Sequence, residues 1–393
     1  MNTHWSTLAI HAGEEKRKPY GSLTTPIVQT STFTFSSSAE ILEFMHSKSN
    51  GGPPSRDEYS RYGNPTLRIA EQKLAALEGG ERALLFATGM AAITTTLLAL
   101  LSQGDHLLMV SGVYRRTSEL AQAYLSLWGI ETTFVPIDQP ESWEKAVRPN
   151  TRLIFTETPT NPYLRVIDLQ ALVDFARRHR LLTLVDSTFA TPINLRPLEY
   201  GVDLVIHSAT KYLGGHNDLL AGVVIGPAEI LKRIEEARGV LGTISNPNEA
   251  YLLIRGLKTV ALRVHRQNEN GRQVAEYLAG HPRIQRVYYP ALSSHPDHAI
   301  ACRQMNGFGG VVSFEIDGDF ACTARFIDLL RIPYIGPTLG GVESVVQQPA
   351  AFFSLDPRDR AEAGIRDNLV RYALGIEDPQ DIIADLEQAL AQI

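Results

Sequence analysis

Lys211 stands in HSATKYLGGHND (207–218), preceded by Ser208 and Thr210 and followed by a glycine pair. An amine held among hydroxyls just beyond a buried strand loses hydration, which lowers its pKa and frees it to form an imine with an aldehyde. Twenty-five positions earlier, Asp186 closes the apolar run LLTLVD (181–186). The carboxyl ends of such strands are where open α/β sheets bind ligands, and a carboxylate there can pair with a protonated ring nitrogen. A third piece is FATGMAAI (86–93), where a turn at Thr88 and Gly89 leads directly into a helix. The first N–H groups of that helix lack partners and suit an anion. Ser208 and Thr210 add hydroxyl donors, and YSRYGNPT (59–66) offers Tyr59 and Arg61 in one short segment. A phosphate near neutral pH carries close to two negative charges and needs several such donors. Taken singly, each feature also has an ordinary reading: a solvated loop lysine, an aspartate capping the next turn, a glycine turn that binds nothing.

The elements that must position these groups are short apolar runs: ALLFA (83–87), HLLMVS (106–111), RLIFTE (152–157), LLTLVD and DLVIHS (203–208). Helical segments separate them, which predicts a mostly parallel sheet covered on both faces. Residues 83–101 carry no charge, a length close to the roughly 20 residues of a membrane span. Their content divides instead into strand, turn and the helix MAAITTTLLALL (90–101), so no membrane partner is expected. Residues 1–60, rich in Ser, Thr, Gly and Pro around SNGGPPSRDEYS (49–60), read as an N-terminal arm with little core of its own, of the kind that packs on another subunit. A large domain is expected over 61–252 and a smaller α+β domain over 253–393. The latter should contain one long helix across 251–280, strands VVSFEI (311–316) and VRYALGI (370–376), and a closing helix from Asp381.

Composition excludes several classes. The 393 residues exceed one ordinary core, and a net charge of −6 without a long basic block leaves no footprint for nucleic acid. Cys302 and Cys322 match neither a metal-ligand pair nor a redox dithiol, so no metal is expected. The opening MNTHWSTLAIHAG has no basic stretch followed by an apolar run, which points to the cytoplasm.

Seven segments in order carry a resemblance: YSRYGNPT, ATGMAAI (87–93), ETPTNP (157–162), VDSTFATP (185–192), HSATKYLGGHND, TLGGVES (338–344) and NLVRYALGIED (368–378). Together they span nearly the whole chain and resemble the Cys/Met-metabolism family of pyridoxal 5′-phosphate (PLP) enzymes. The resemblance implies an α/β fold of the PLP-dependent transferase type, like aspartate aminotransferase (fold type I), assembled as a homotetramer of two catalytic dimers. It implies that Lys211 carries the cofactor and shuttles protons, that Asp186 pairs with the ring nitrogen, and that Tyr114 stacks on the ring. Gly89, Met90, Ser208 and Thr210 would hold the phosphate, with Tyr59 and Arg61 reaching it from a neighbouring subunit. Arg371 would bind the substrate α-carboxylate, helped by Asn161 and Thr338.

Within the family, YRRT (114–117), TETPTNPYLRVID (156–168) and IPYIGPTLGGVES (332–344) are most similar to plant-type members that join cysteine to an activated homoserine by γ-replacement. Glu343 lies where members acting at the γ-carbon tend to carry glutamate. Members that cleave cystathionine, or attach sulfur directly to a homoserine ester, share nearly all of these residues. Retention of Lys211, Asp186 and Arg371 together argues against a catalytically silent binding protein. Two departures stand out. Arg115 and Arg116 replace the two glycines that often follow the stacking tyrosine, putting positive charge near the departing group and favouring a phosphoryl ester, with Arg116 expected to matter more. Ala373 replaces a serine near Arg371.

Overall fold

The computed structural model describes residues 4–50 and 56–393; the GGPPS stretch (51–55) of the expected arm lies outside the described residues. Seven strands make the main sheet: β1 (Arg82–Phe86), β2 (His106–Val110), β3 (Glu131–Val135), β4 (Thr151–Glu157), β5 (Leu182–Asp186), β6 (Leu204–His207) and β7 (Gly222–Gly226). Their order is β1-β7-β6-β5-β4-β2-β3. Strands β2 to β6 run parallel, and β7 lies antiparallel between β1 and β6. Every residue of β2, β6 and β7 is buried, as a sheet covered on both faces requires.

A second sheet holds β8 (Ile284–Tyr288), β9 (Val311–Ile316), β10 (Tyr334–Ile335), β11 (Val345–Gln347) and β12 (Leu369–Ala373), in the order β10-β11-β12-β9-β8. It is antiparallel except for β10 beside β11. One apolar cluster joins the two sheets, including Val223 of β7, Leu253 and Val264 of the intervening helices, and Val312 and Val370 of the second sheet. Among the described residues no helix is long and apolar enough to cross a membrane.

The expectation of one long helix needs correction. The helix foreseen across 251–280 is two helices, Pro247–Leu257 and Val260–Ala279. The break is held by the buried Arg263, whose Nη2 donates to Gly256 O (2.8 Å) and Nη1 to Tyr212 O (2.8 Å). A side chain thus satisfies the Gly256 carbonyl, which a continuous helix would have used, and ties the break to the Lys211 segment. At Gly256 the first helix passes so close to the Lys211 segment that an added Cβ would lie 2.2 Å from Gly214 O. The expected domain boundary at 252/253 falls inside this first helix.

Part of the N-terminal arm packs on the core of its own chain. Trp5–His11 forms a helix with Ala9 fully buried and Trp5 and Leu8 against the core. Glu14 then pairs with Lys18, Lys73 and Lys258 of the same chain. Spaced apolar residues in WSTLAIH give this short segment one face to bury. Beyond it the chain runs extended and exposed, with Leu23 89% accessible.

Candidate active site

The site starts from the carboxyl ends of the parallel strands. Glu157 ends β4 and Asp186 ends β5, opposite one another in register. Asp186 Oδ1 accepts from Thr188 N (3.0 Å) and Thr188 Oγ1 (2.5 Å), and Thr188 Oγ1 accepts from Ser208 N (2.8 Å). These bonds tie Asp186 to the segment bearing Lys211. Burial pushes the Asp186 carboxyl above its usual range, partly opposed by Thr188 and His207. A cation brought beside it would favour the charged form.

Lys211 follows β6 in a tight turn, its N–H donating to Ser208 O (3.1 Å). Its Nζ donates to Thr338 Oγ1 (3.1 Å). Burial, and to a smaller extent Arg371, lower its pKa to about 8. Arg371 lies on β12 and is 4% exposed. Its Nη1 donates to Asn161 Oδ1 (3.1 Å) and Nη2 to Thr338 O (3.0 Å), while its buried Nε has no partner. Desolvation lowers the guanidinium to about 10. No carboxylate pairs with it among the described residues, and a buried cation without a counter-charge is strongly unfavourable. The site is therefore built to receive an anion.

A second anion cradle lies beside it. Thr88 caps the helix Gly89–Leu100 by accepting from Ala91 N (2.9 Å), and Ala92 N donates to Thr88 O, which leaves the N–H groups of Gly89 and Met90 for a ligand. A Cβ on Gly89 would sit 2.9 Å from Ser208 Cβ, so only glycine lets the helix start approach the Ser208 turn this closely. The Thr210 hydroxyl is already engaged, accepting from Ala221 N (3.0 Å) and donating to Ala221 O (3.2 Å).

The structure does not bring every expected residue to this place. Tyr59 is 41% exposed, and Arg61 Nη1 donates to Gly239 O (2.7 Å) with its guanidinium 4.7 Å from the Tyr62 ring centre. No bond links either residue to Lys211 or Gly89 of the same chain among the described residues. Tyr114 follows β2 with an exposed ring, and its N–H donates to Glu157 Oε2 (2.6 Å). Arg116 Nη1 is taken by Glu119 Oε2 (2.5 Å), which raises the arginine's pKa. Arg115 is exposed and forms no ion pair among the described residues. Glu343 is exposed and accepts from Asn217 Nδ2 (2.9 Å), where the TLGGVES loop meets HND (216–218). Sequence reasoning passed over Glu157 and Thr188. RLIFTE ends on an acid just as LLTLVD does, so the same strand-end signal was available for Glu157.

A depressed lysine, a buried carboxyl linked to it, a glycine cradle with free N–H groups and an unpartnered arginine match the aldehyde, ring nitrogen, phosphate and substrate carboxylate that PLP chemistry requires. Fold and site together define a PLP-dependent enzyme of fold type I. The chain is similar over its full length to the crystal structure of metB from Corynebacterium glutamicum, with a TM-score of 0.91, 36% identity and 98% of that chain covered. It is 46% identical to cystathionine gamma-synthase 1, chloroplastic, of Nicotiana tabacum, over 98% of this chain and 72% of that one. It is 41% identical to L-methionine gamma-lyase of Fusobacterium nucleatum subsp. nucleatum, over 98% of each. The family described as Cys/Met metabolism PLP-dependent enzyme matches residues 6–391. The chain belongs to this family, and PLP is its cofactor.

Proposed function

We propose that this chain joins cysteine to an activated homoserine by γ-replacement, giving cystathionine, the activity for which its tobacco relative is named. The observation that carries an amino-acid substrate is the buried Arg371, unpaired with any carboxylate among the described residues and sharing Thr338 with Lys211. A planar guanidinium suits a planar α-carboxylate, and Asn161 and the Thr338 carbonyl already hold it in place. The choice within the family rests on the plant-like segments and the 46% identity.

In this reading Gly89, Met90, Ser208 and Thr210 hold the phosphate, with Tyr59 and Arg61 of a second subunit completing the cradle. Asp186 holds the ring nitrogen in its protonated form, and Tyr114 covers the ring. Bound there, PLP supplies an aldehyde that joins the substrate amine and a ring that draws electrons from the substrate. Lys211, displaced by the substrate, is then a free amine whose low pKa suits it to take the α-proton at neutral pH. The same amine is placed to move the β-proton, whose loss lets the γ-substituent depart. Cysteine sulfur adds at the γ-carbon, and the protons return. Glu343 lies on the loop that also bears Thr338, where it would face the distal end of the substrate.

Arg115 and Arg116 supply the charge for the leaving group, which we assign as phosphate. Acetyl and succinyl esters carry zero or one distal charge, whereas the phosphoryl ester carries close to two. Arg116 must exchange Glu119 for the ligand, and exposed ion pairs of this kind are weak enough to exchange. Arg115 is available without exchange. The test is mass-spectrometric product analysis with phosphoryl, succinyl and acetyl homoserine plus cysteine, in the wild type, Arg115→Gly and Arg116→Gly. Cystathionine should form, the phosphoryl ester should have the highest kcat/KM, and both variants should lose that preference. The leaving-group assignment fails if the variants slow all three esters equally.

A further inference from the structure

Glu157 has none of the usual partners of a buried carboxylate. It is 4% exposed, no Lys, Arg or His pairs with it among the described residues, and Asp186 sits opposite it on the next strand. Burial and the Asp186 charge both oppose ionisation, pushing its pKa well above the carboxylate range. A strand end serving only the fold would be more stable with an apolar side chain of similar volume. What the carboxyl does have is a backbone donor from a different loop. Tyr114 N, in the loop after β2, donates to Oε2 at 2.6 Å. Asn161 follows Glu157 by four residues, in the loop after β4. Asn161 in turn accepts from Arg371 Nη1 through its side chain. One carboxyl therefore stands between the loop carrying Tyr114 and the loop that orients Arg371.

We propose that Glu157 is a positioning residue that fixes the loop of Tyr114 against the loop of Asn161, which it begins, through the bond its carboxyl accepts from Tyr114 N. The proposal rests on the roles given above to Tyr114, Asn161 and Arg371. Covering the ring and orienting the α-carboxylate must be satisfied at once, and misplacement by about 1 Å can lower a rate on the order of a hundredfold. A single buried acceptor at the root of the Asn161 loop, bonded to Tyr114 N, couples the two placements. Thr158 and Thr160, between Glu157 and Asn161, are buried and bond within that loop, so the strand end and the loop move as one piece.

The test uses the PLP-loaded enzyme and two readouts, visible circular dichroism of the bound cofactor and the separate values of kcat and KM. Glu157→Gln keeps an acceptor oxygen and should retain the dichroism and kcat within about threefold. Glu157→Ala should change the dichroism, lower kcat about ten- to a hundredfold and raise KM for the homoserine ester. If Glu157→Ala does not fold, Glu157→Asp takes its place, since it withdraws the acceptor by about one bond length, ~1.5 Å, and the same changes are expected. Tyr114→Ala is the reference for the underlying reading. If Tyr114→Ala alters the dichroism and Glu157→Ala (or Glu157→Asp) does not, the positioning role is wrong. If Glu157→Gln is as damaging as Glu157→Ala, charge rather than acceptor geometry matters and the proposal is overturned. If Tyr114→Ala leaves the dichroism unchanged, the reading of Tyr114 fails and this inference falls with it.

Discussion

The chemistry of Lys211 makes it unfavourable to the fold that carries it. Its pKa in the folded chain is about 8 against 10.5 in the open chain, so the unfolded state holds the extra proton between those values. Stability of the cofactor-free protein should therefore rise as pH climbs from about 8 to about 10.5, and the penalty is fully present below 8. Lys211→Met should make the cofactor-free protein more stable near pH 7, by on the order of 1–3 kcal/mol in urea unfolding, while abolishing turnover. A less stable variant, or one with more than trace turnover, would contradict the assignment. Capture of PLP by the cofactor-free wild type should also accelerate with pH through about 8, because only the neutral amine attacks an aldehyde. A stopped-flow rate that is flat from pH 7 to 9 would contradict it. Lys211 and Asp186 were legible in the sequence because each stands at the end of an unbroken apolar run. Arg371 was not legible in this way. VRYALGI reads like any buried strand, and only the structure shows its guanidinium buried without a counter-charge.

At the scale of elements, the strand-turn-helix at β1 depends on one atom that glycine lacks. Gly89→Ala would place a methyl 2.9 Å from Ser208 Cβ, so the helix start and the Ser208 turn must separate. Their separation should weaken PLP binding at least about tenfold by equilibrium dialysis, with little change in thermal stability. Unchanged affinity would show that the helix start does not hold the phosphate. Of the strands expected from apolar runs, five form in the main sheet as β1, β2, β4, β5 and β6, while VVSFEI forms β9 and VRYALGI runs into β12. The structure adds β3 and β7. ETTFV of β3 lies at the sheet edge and is only partly buried, so its apolar signal is weak. GVVIG of β7 follows the Lys211 segment, whose glycines and polar residues read as loop. The break between the helices Pro247–Leu257 and Val260–Ala279 was hidden for another reason. Apolar periodicity continues across Lys258 and Thr259, and Arg263, which ends the first helix, acts through tertiary hydrogen bonds.

At the scale of the whole molecule, no bond within one chain ties Tyr59 or Arg61 to Lys211 among the described residues. Arg61 is held on its own chain by Gly239 O and by the rings of Tyr59 and Tyr62. The extended segment between the 3-10 turn Pro19–Gly21 and the helix Ser38–Ser49 leaves Leu23 and Ile27 exposed. Our proposal is that a second copy covers this surface, and that each cradle receives Tyr59 and Arg61 from its neighbour. Mixing inactive Arg61→Ala and inactive Lys211→Ala subunits should then restore part of the activity once subunits exchange. No recovery after demonstrated exchange would contradict sharing. γ-Replacement is decided by the fate of the substrate once its γ-substituent has left. O-Phosphohomoserine should be supplied to the purified PLP enzyme with and without cysteine, and cystathionine, 2-oxobutanoate and phosphate followed together. With cysteine present, most of the carbon should appear as cystathionine, matched mole for mole by released phosphate. If 2-oxobutanoate dominates in the presence of cysteine, or if the enzyme consumes cystathionine faster than it forms it, γ-replacement is not what this site performs.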